Sequence, residues 1–258
     1  MELKEKLISS FIAFENQISL DNPFVHSMRT EALSSFESKG FPQKKEEAWK
    51  YTSLKKVLKE DFSVFSKTET ALEYKDVQPY FIHDIDSYKI VFVDGKYASN
   101  LSQTTHDDID ICLMSSALEK PKYRSVIENY FNKIADKNSL TSLNTAFVNE
   151  GAYIHITKNK MVEKPIQIIH FSTGNESALL LQPRNLIVVD ENAHVQIIER
   201  HQSLTNNSTL TNCVTEIFAA KRGIVDYYKV QNDKDSASLV DSTFINQESE
   251  SHVAVHTF

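Results

Sequence analysis

Apolar positions in the first third of the chain recur at helical spacing. Leu3, Leu7, Phe11 and Phe14 follow one another at intervals of three and four, the stripe of an amphipathic helix. A second helix is punctuated at both ends: Asn22 caps it, Pro23 takes the first helical position, and Gly40 lies just past its end. Met28, Leu33 and Phe36 are its apolar positions. The segment FPQKKEEAWKYTSLKK (41–56) follows, and Leu54, Val57, Leu58 and Phe62 continue a helical spacing beyond it.

From about residue 88 the period shifts to two. KIVFVDGKY (89–97) is an apolar run broken by Asp94-Gly95, a strong hairpin signal. DIDICLM (108–114) alternates as a strand does, and one more helix is expected within 122–136, with Val126, Tyr130, Phe131 and Ile134 on its apolar face. The remainder is a succession of β-type runs: YIHIT, PIQIIHF, NLIVVD, HVQIIER, CVTEIF, IVDYYKV, SLVDSTFI and HVAVHTF. They follow closely with no helical pattern between them, which excludes βαβ units and their crossovers of a dozen or more residues. A sandwich, a barrel and a β-solenoid remain. The solenoid fits best, because the linkers are polar, uneven and poor in glycine.

Composition narrows the function. Hydrophobic residues at 41% and charged residues at 24% of 258 are ordinary for a soluble globular protein. A net charge of −7 gains little from counterion release, which speaks against nucleic-acid binding. No apolar stretch approaches the roughly 20 residues of a membrane span, and the N-terminus has no signal-peptide core. Cys112 and Cys213 form no CxxC, so a reduced, cytoplasmic protein is expected. With only five glycines there is no GxGxxG, GxxxxGK[ST] or GxSxG, which speaks against nucleotide binding.

The candidate chemical groups are weighed against packing. His252 and His256, four residues apart on a strand, are too distant to share one ion and read as surface residues. His155, His170, His194 and His201 sit on separate runs, meet only by stacking between rungs, and also read as solvent-facing. Cys112 and Cys213 read as small apolar residues. Asp107, Asp108 and Asp110, and Glu248 with Glu250, match no EF-hand loop and read as solvated acidic faces. Arg184, entering the NLIVVD run, is expected to pair with Glu199 on the next run. In residues 41–56 the expectation is a structural anchor: Pro42 ends a helix, and Trp49 and Tyr51 bury their rings at a joint. On that reading Trp49→Ala costs about 3–5 kcal/mol. No catalytic, cofactor-binding or metal-ligating residue is expected, and two isolated cysteines cannot supply the four thiolates of a usual cluster.

The ordered series GFPQKKEEAWKYTSL, VFVDGKYASNLS, SLNTAFVNEGAYIHI, KPIQIIH, QPRNLIVVDENAHVQIIERH, TNCVTEI and VDYYKVQN resembles the SufD family of SUF-system iron–sulfur cluster assembly subunits. The resemblance implies an α+β, mainly β fold: a helical N-terminal domain (1–85), a mixed α/β connecting region (86–140), and a right-handed parallel β-helix core (141–258). It implies a non-catalytic scaffold that pairs with SufB-like and SufC-like subunits, the ATPase activity lying in SufC. An iron–sulfur cluster is expected only at an interface with SufB in a full-length protein. The family continues past the position of Phe258 into further rungs and a C-terminal helical domain, so the chain reads as an N-terminal part, and either homo-association of an uncapped β-helix or a marginal last rung is expected. The alternative is a β-solenoid enzyme acting on polysaccharide through Asp190, Glu199, Asp226 and Asp241.

Overall fold

The computed structural model describes residues 2–18, 22–63, 72–82, 84–104, 109–174 and 178–258, so Asp107 and Asp108 lie outside the described residues. The chain opens with α1 (Leu3–Ile18) and α2 (Pro23–Lys39). Helix α1 buries Leu3, Leu7, Phe11 and Phe14, the four residues of its apolar stripe. Asn22 Oδ1 accepts the backbone N–H groups of Phe24 and Val25 at 3.2 and 3.5 Å, satisfying donors that a helix start leaves open. Gly40, at φ 67, closes α2 and donates its N–H to the Phe36 carbonyl. Pro42 therefore follows a helix that has already stopped, and the end expected of it belongs to Gly40.

Residues 41–60 do not extend the helix. They form turns with two 3-10 segments, Glu47–Trp49 and Val57–Lys59. Side chains take backbone donors here: Glu46 Oε1 accepts the Gln43 N–H at 2.8 Å, and Ser53 Oγ the Lys55 N–H at 3.4 Å. Such local bonds compete with a helical ladder. Trp49 is only half-buried against the α1–α2 cluster. Tyr51 is 90% exposed, with Lys50 Nζ 5.4 Å from its ring centroid. The two-ring anchor thus reduces to one half-buried indole. Trp49→Ala is accordingly expected to cost about 1–2 kcal/mol in urea unfolding, not the larger value of a core aromatic.

Among the described residues twelve strands follow: β1 (Tyr88–Val93), β2 (Lys96–Tyr97), β3 (Asp110–Leu113), β4 (Ala152–Ile156), β5 (Ile166–Ser172), β6 (Ala178–Leu181), β7 (Arg184–Val189), β8 (His194–Ser203), β9 (Ser208–Ala219), β10 (Ile224–Asn232), β11 (Ala237–Gln247) and β12 (His252–Thr257). One sheet runs β12-β10-β8-β5-β1-β2 and the other β11-β9-β7-β4-β3, with β6 beside β9. Pairing is parallel except for β1–β2 and β3–β4. From β4 onward the chain passes repeatedly between the sheets, making a β-solenoid of about three turns. Ile166 pairs with Ile197, and His194 with Ile224, so the repeat is about 30 residues, typical of a solenoid. The eight runs of the sequence pattern are β4, β5 and β7 to β12.

The turns explain the scarcity of glycine. Asn159, Asn192, Arg222 and Glu250 occupy the left-handed region at φ 63, 58, 58 and 60, one per rung at the same corner. They stack: Asn192 Nδ2 donates to Asn159 Oδ1 at 2.8 Å, and Arg222 Nε donates to Asn192 Oδ1 at 2.6 Å. Asparagine tolerates that conformation, and the ladder of side-chain bonds holds the charged residues there. The expected Asp94-Gly95 hairpin is present, with φ 49 and 77 and Phe92 opposite Tyr97.

The described residues also form the shorter helices α3 (Tyr74–Val77), α4 (Met114–Glu119), α5 (Arg124–Tyr130) and α6 (Ser139–Ala146). The helix expected in 122–136 is α5, which stops before buried Phe131. Helix α6 is not among the expected elements: Leu140, Leu143 and Ala146 recur at helical spacing behind the Asn138 cap, but eight residues are too short a window to establish a period, and its polar residues are buried with the rest. Phe14, Phe36, Leu143 and Phe147 form one cluster with Leu180 and Leu210, which seats the helices on the solenoid flank. No helix among the described residues is long and apolar enough to cross a membrane.

Candidate functional site inside the solenoid

Alternate residues of a strand share a face, so each strand sends one set into the space between the sheets. That interior is apolar at one end: Ile166 and Ile168 on β5, Val195 and Ile197 on β8, Ile187 and Val189 on β7, Ile217 on β9 and Val225 on β10. The same faces turn polar farther along. In the same alternation stand His170 on β5, Glu199 and His201 on β8, Tyr227 and Lys229 on β10, Asn185 on β7, and Cys213 and Thr215 on β9, all buried. A polar solenoid core departs from the rule that interiors are filled by apolar side chains, and its groups must satisfy one another.

Glu199, with its side chain fully buried, is the centre. Its Oε1 accepts Asn185 Nδ2 at 2.9 Å and lies 3.2 Å from His170 Nε2, 3.5 Å from Cys213 Sγ and 3.6 Å from His201 Nε2. Its Oε2 accepts the Tyr227 hydroxyl and lies 3.9 Å from Lys229 Nζ. Lys229 in turn donates to Asp241 and, at 2.6 Å, to Thr243 Oγ1. Burial alone pushes the Glu199 carboxyl up, but the two imidazoles and the Lys229 charge prevail and hold it well below the ordinary range. Burial lowers His170, against the pull of Glu199, so His170 is a neutral ring donating to a carboxylate. Burial, and then the Glu199 charge, push the Cys213 thiol and the Tyr227 hydroxyl well up. Cys213 is therefore a protonated thiol, consistent with a small buried residue and not with a nucleophile.

Arg184 and Glu199 do not meet. They belong to different sheets, and Arg184 occupies the opposite alternation from inward-facing Asn185. Arg184 pairs instead with Glu216 of the neighbouring strand β9, Nη2 to Oε2 2.7 Å, both side chains fully buried. Glu216 also accepts the N–H groups of Asn132, Ile134 and Ala135 at 2.8, 3.1 and 3.2 Å. Arg184 Nη1 donates to Asn144 and Thr145 at 3.2 and 3.0 Å, and its guanidinium lies over Phe131. This ion pair ties the segment after α5, and α6, to the solenoid wall.

The histidines divide. His252 and His256 are exposed, as expected. His170 and His201, expected at the surface, are buried cross-strand partners with ring centroids 4.7 Å apart. The signal was present in HVQIIERH: Val195, Ile197, Glu199 and His201 share one alternation, so an inward Val and Ile imply an inward Glu and His. The four carboxylates of the polysaccharide-enzyme alternative are dispersed. Asp190 pairs with His155 at 3.1 Å and Asp226 with His194 at 3.2 Å, whereas Glu199 and Asp241 lie on either side of Lys229.

Near this core, a cavity of about 150 Å³ is lined by residues including His170, Asp94, Lys96, Glu150 and Gln182. Burial pushes the Glu150 carboxyl up to about 7, opposed by a hydrogen bond with Ser115, and its Oε2 has no hydrogen-bond partner among the described residues. A carboxyl raised in the folded state binds protons more tightly there than in the unfolded chain. Stability therefore falls as pH rises from the unfolded value near 4.5 through about 7, and the loss is complete above that. Glu150→Gln is expected to stabilise the protein by about 2 kcal/mol at pH 8 and by almost nothing at pH 4. Urea unfolding at the two pH values checks it; an equal effect at both would exclude this cause.

Comparison with known proteins places this architecture. The model of the SufBD protein N-terminal region matches residues 1–168, and that of the SUF system FeS cluster assembly SufBD core domain matches residues 170–258. The chain belongs to the SufBD family. It is 26% identical to the iron–sulfur cluster assembly SufBD family protein slr0076 of Synechocystis, over 80% of this chain and 47% of that protein. It is 30% identical to SufD of Bacillus subtilis over 43% of this chain and 26% of the relative, and 35% identical to SufB of the same organism over 37% and 20%. The matched segments cover less than half the length of each of these relatives.

Proposed function

We propose that this chain is a scaffold subunit of an iron–sulfur cluster assembly complex, itself without catalytic activity, that works with SufB-like and SufC-like partners in the cytoplasm. The observation that supports it is the pair of family matches, which between them run over residues 1–168 and 170–258, the second to a domain described by FeS cluster assembly. The structure agrees with a scaffold in one respect. The buried ion pair, the aromatic clusters and the stacked turns spend most of the distinctive side chains on rigidity. ATP hydrolysis is assigned to the SufC-like partner. Co-expression of the tagged chain with SufB-like and SufC-like proteins of the same organism, followed by affinity purification, tests the proposal. Recovery of a stoichiometric complex supports it; failure to retain either partner at low and physiological salt overturns it.

A further inference from the structure

His170, Glu199 and His201 offer two imidazole nitrogens and a carboxylate oxygen, all within 4.8 Å of one another and all buried. The Glu199 Oε1 distances to His170 Nε2 and His201 Nε2 are 3.2 and 3.6 Å. A tetrahedral ion with ligands at 2.0–2.2 Å has ligand–ligand edges of about 3.4 Å, so two of the three edges already have the needed length. His201 Nε2 is buried and has no hydrogen-bond partner among the described residues, and it faces the carboxylate. A buried polar atom left unmade costs about 1–3 kcal/mol, and this one is unmade where a cation would satisfy it.

The supporting structure is that of a ligand set. His170 is stacked between Phe92 and His201, at 5.0 and 4.7 Å between centroids, which fixes both ring planes. Asn185, Cys213 and Tyr227 bond to Glu199 and hold its carboxylate as outer-sphere partners do. Lys229 adds a positive charge on the far carboxylate oxygen, but Asp241 stands against it. The cavity of about 150 Å³ borders His170 alone of the three ligands.

We propose that His170, Glu199 and His201 form a binding site for a divalent transition-metal ion of the borderline type, such as ferrous or zinc ion. Two imidazoles and one carboxylate select that class over calcium and magnesium, which take oxygen ligands. A cluster would need more thiolates than the one protonated thiol here. On binding, the ion takes the place of the proton on His170 Nε2, which passes by exchange to Nδ1 of the same ring, so the ligand stays a neutral imidazole and no net proton is released. The site stands on its own geometry and does not rest on the scaffold role, so loss of partner binding and loss of metal binding are separate outcomes.

The test titrates the metal-free chain with Co²⁺ alone, following ligand-field absorption and heat. One ion per chain is expected. His201→Phe keeps a ring stacked on His170 and is expected to weaken Co²⁺ binding by roughly 100-fold, at least the loss seen when an outer-sphere partner is removed. His256→Phe, at the exposed position, is expected to bind as the unmodified chain does. Circular dichroism establishes that the variants fold. For a measurement that needs no variant, pulsed electron paramagnetic resonance of the Cu²⁺-loaded chain is expected to show coupling to two imidazoles. Absence of one-to-one uptake, unchanged affinity in folded His201→Phe, or a copper signal without imidazole coupling overturns the proposal.

Discussion

Glu216→Ala is expected to lower the free energy of unfolding by about 3–5 kcal/mol, the range for removing one partner of a buried ion pair. The cost arises because Arg184, fully buried, keeps its charge when Glu216 is gone. It is compounded by the backbone: the N–H groups of Asn132, Ile134 and Ala135 lose their common acceptor. The second contribution separates this pair from an ordinary one. Replacing both members of a buried pair with apolar residues is often neutral or stabilising. Here the Arg184→Met, Glu216→Leu double variant is expected to remain destabilised by about 2 kcal/mol, since the three N–H donors stay without a partner. Equilibrium urea unfolding of both singles and the double forms the cycle. A double variant as stable as the natural chain would show that the backbone bonds carry none of the effect.

What could be read in advance follows the physical origin of each signal. Helices α1 and α2 have one wet face and one dry face, and their caps are local chemistry, so Leu3 through Phe14 and Asn22 through Gly40 were legible. The eight long runs were legible as strands because β-branched and aromatic residues cluster in them. Helix α6 is eight residues long and β6 four, so both are too short to establish a period. Arg184 and Glu199 lie on successive runs, but in a solenoid successive runs belong to different sheets, and nearest neighbours come from about one rung away. Read with that offset, Arg184 pairs near Val214 and finds Glu216, and His170 finds His201. The error and its remedy thus have one cause, the register of the rungs, which spacing along the chain does not reveal by itself.

Gly151→Ala is expected to be at least as damaging, at about 3–5 kcal/mol, combining backbone strain with overpacking. Gly151 precedes β4 at φ +145, and a Cβ built there would lie 1.9 Å from the Arg184 carbonyl oxygen and 2.6 Å from its carbonyl carbon. Those atoms are backbone and cannot rotate aside. Gly40, at φ +67, is the control: its Cβ would meet only the flexible Lys4 side chain, at 3.6 Å and beyond. Gly40→Ala is therefore expected to cost about 1–3 kcal/mol, the conformational part alone, since φ 67 with ψ −164 is a region that only glycine adopts readily. Thermal and urea unfolding of the two variants compare the same added methyl with and without a backbone collision, and equal costs would exclude the collision as the cause. The damage at Gly151 also has a direction. Arg184 N–H donates to the Glu150 carbonyl at 3.0 Å, and next to it Asn185 Oδ1 accepts the Ala152 N–H at 3.0 Å while its Nδ2 holds Glu199 at 2.9 Å. Pushing β7 away from Gly151 moves Arg184 off Glu216 on one face and Asn185 off Glu199 on the other, so one methyl reaches both the wall and the polar interior.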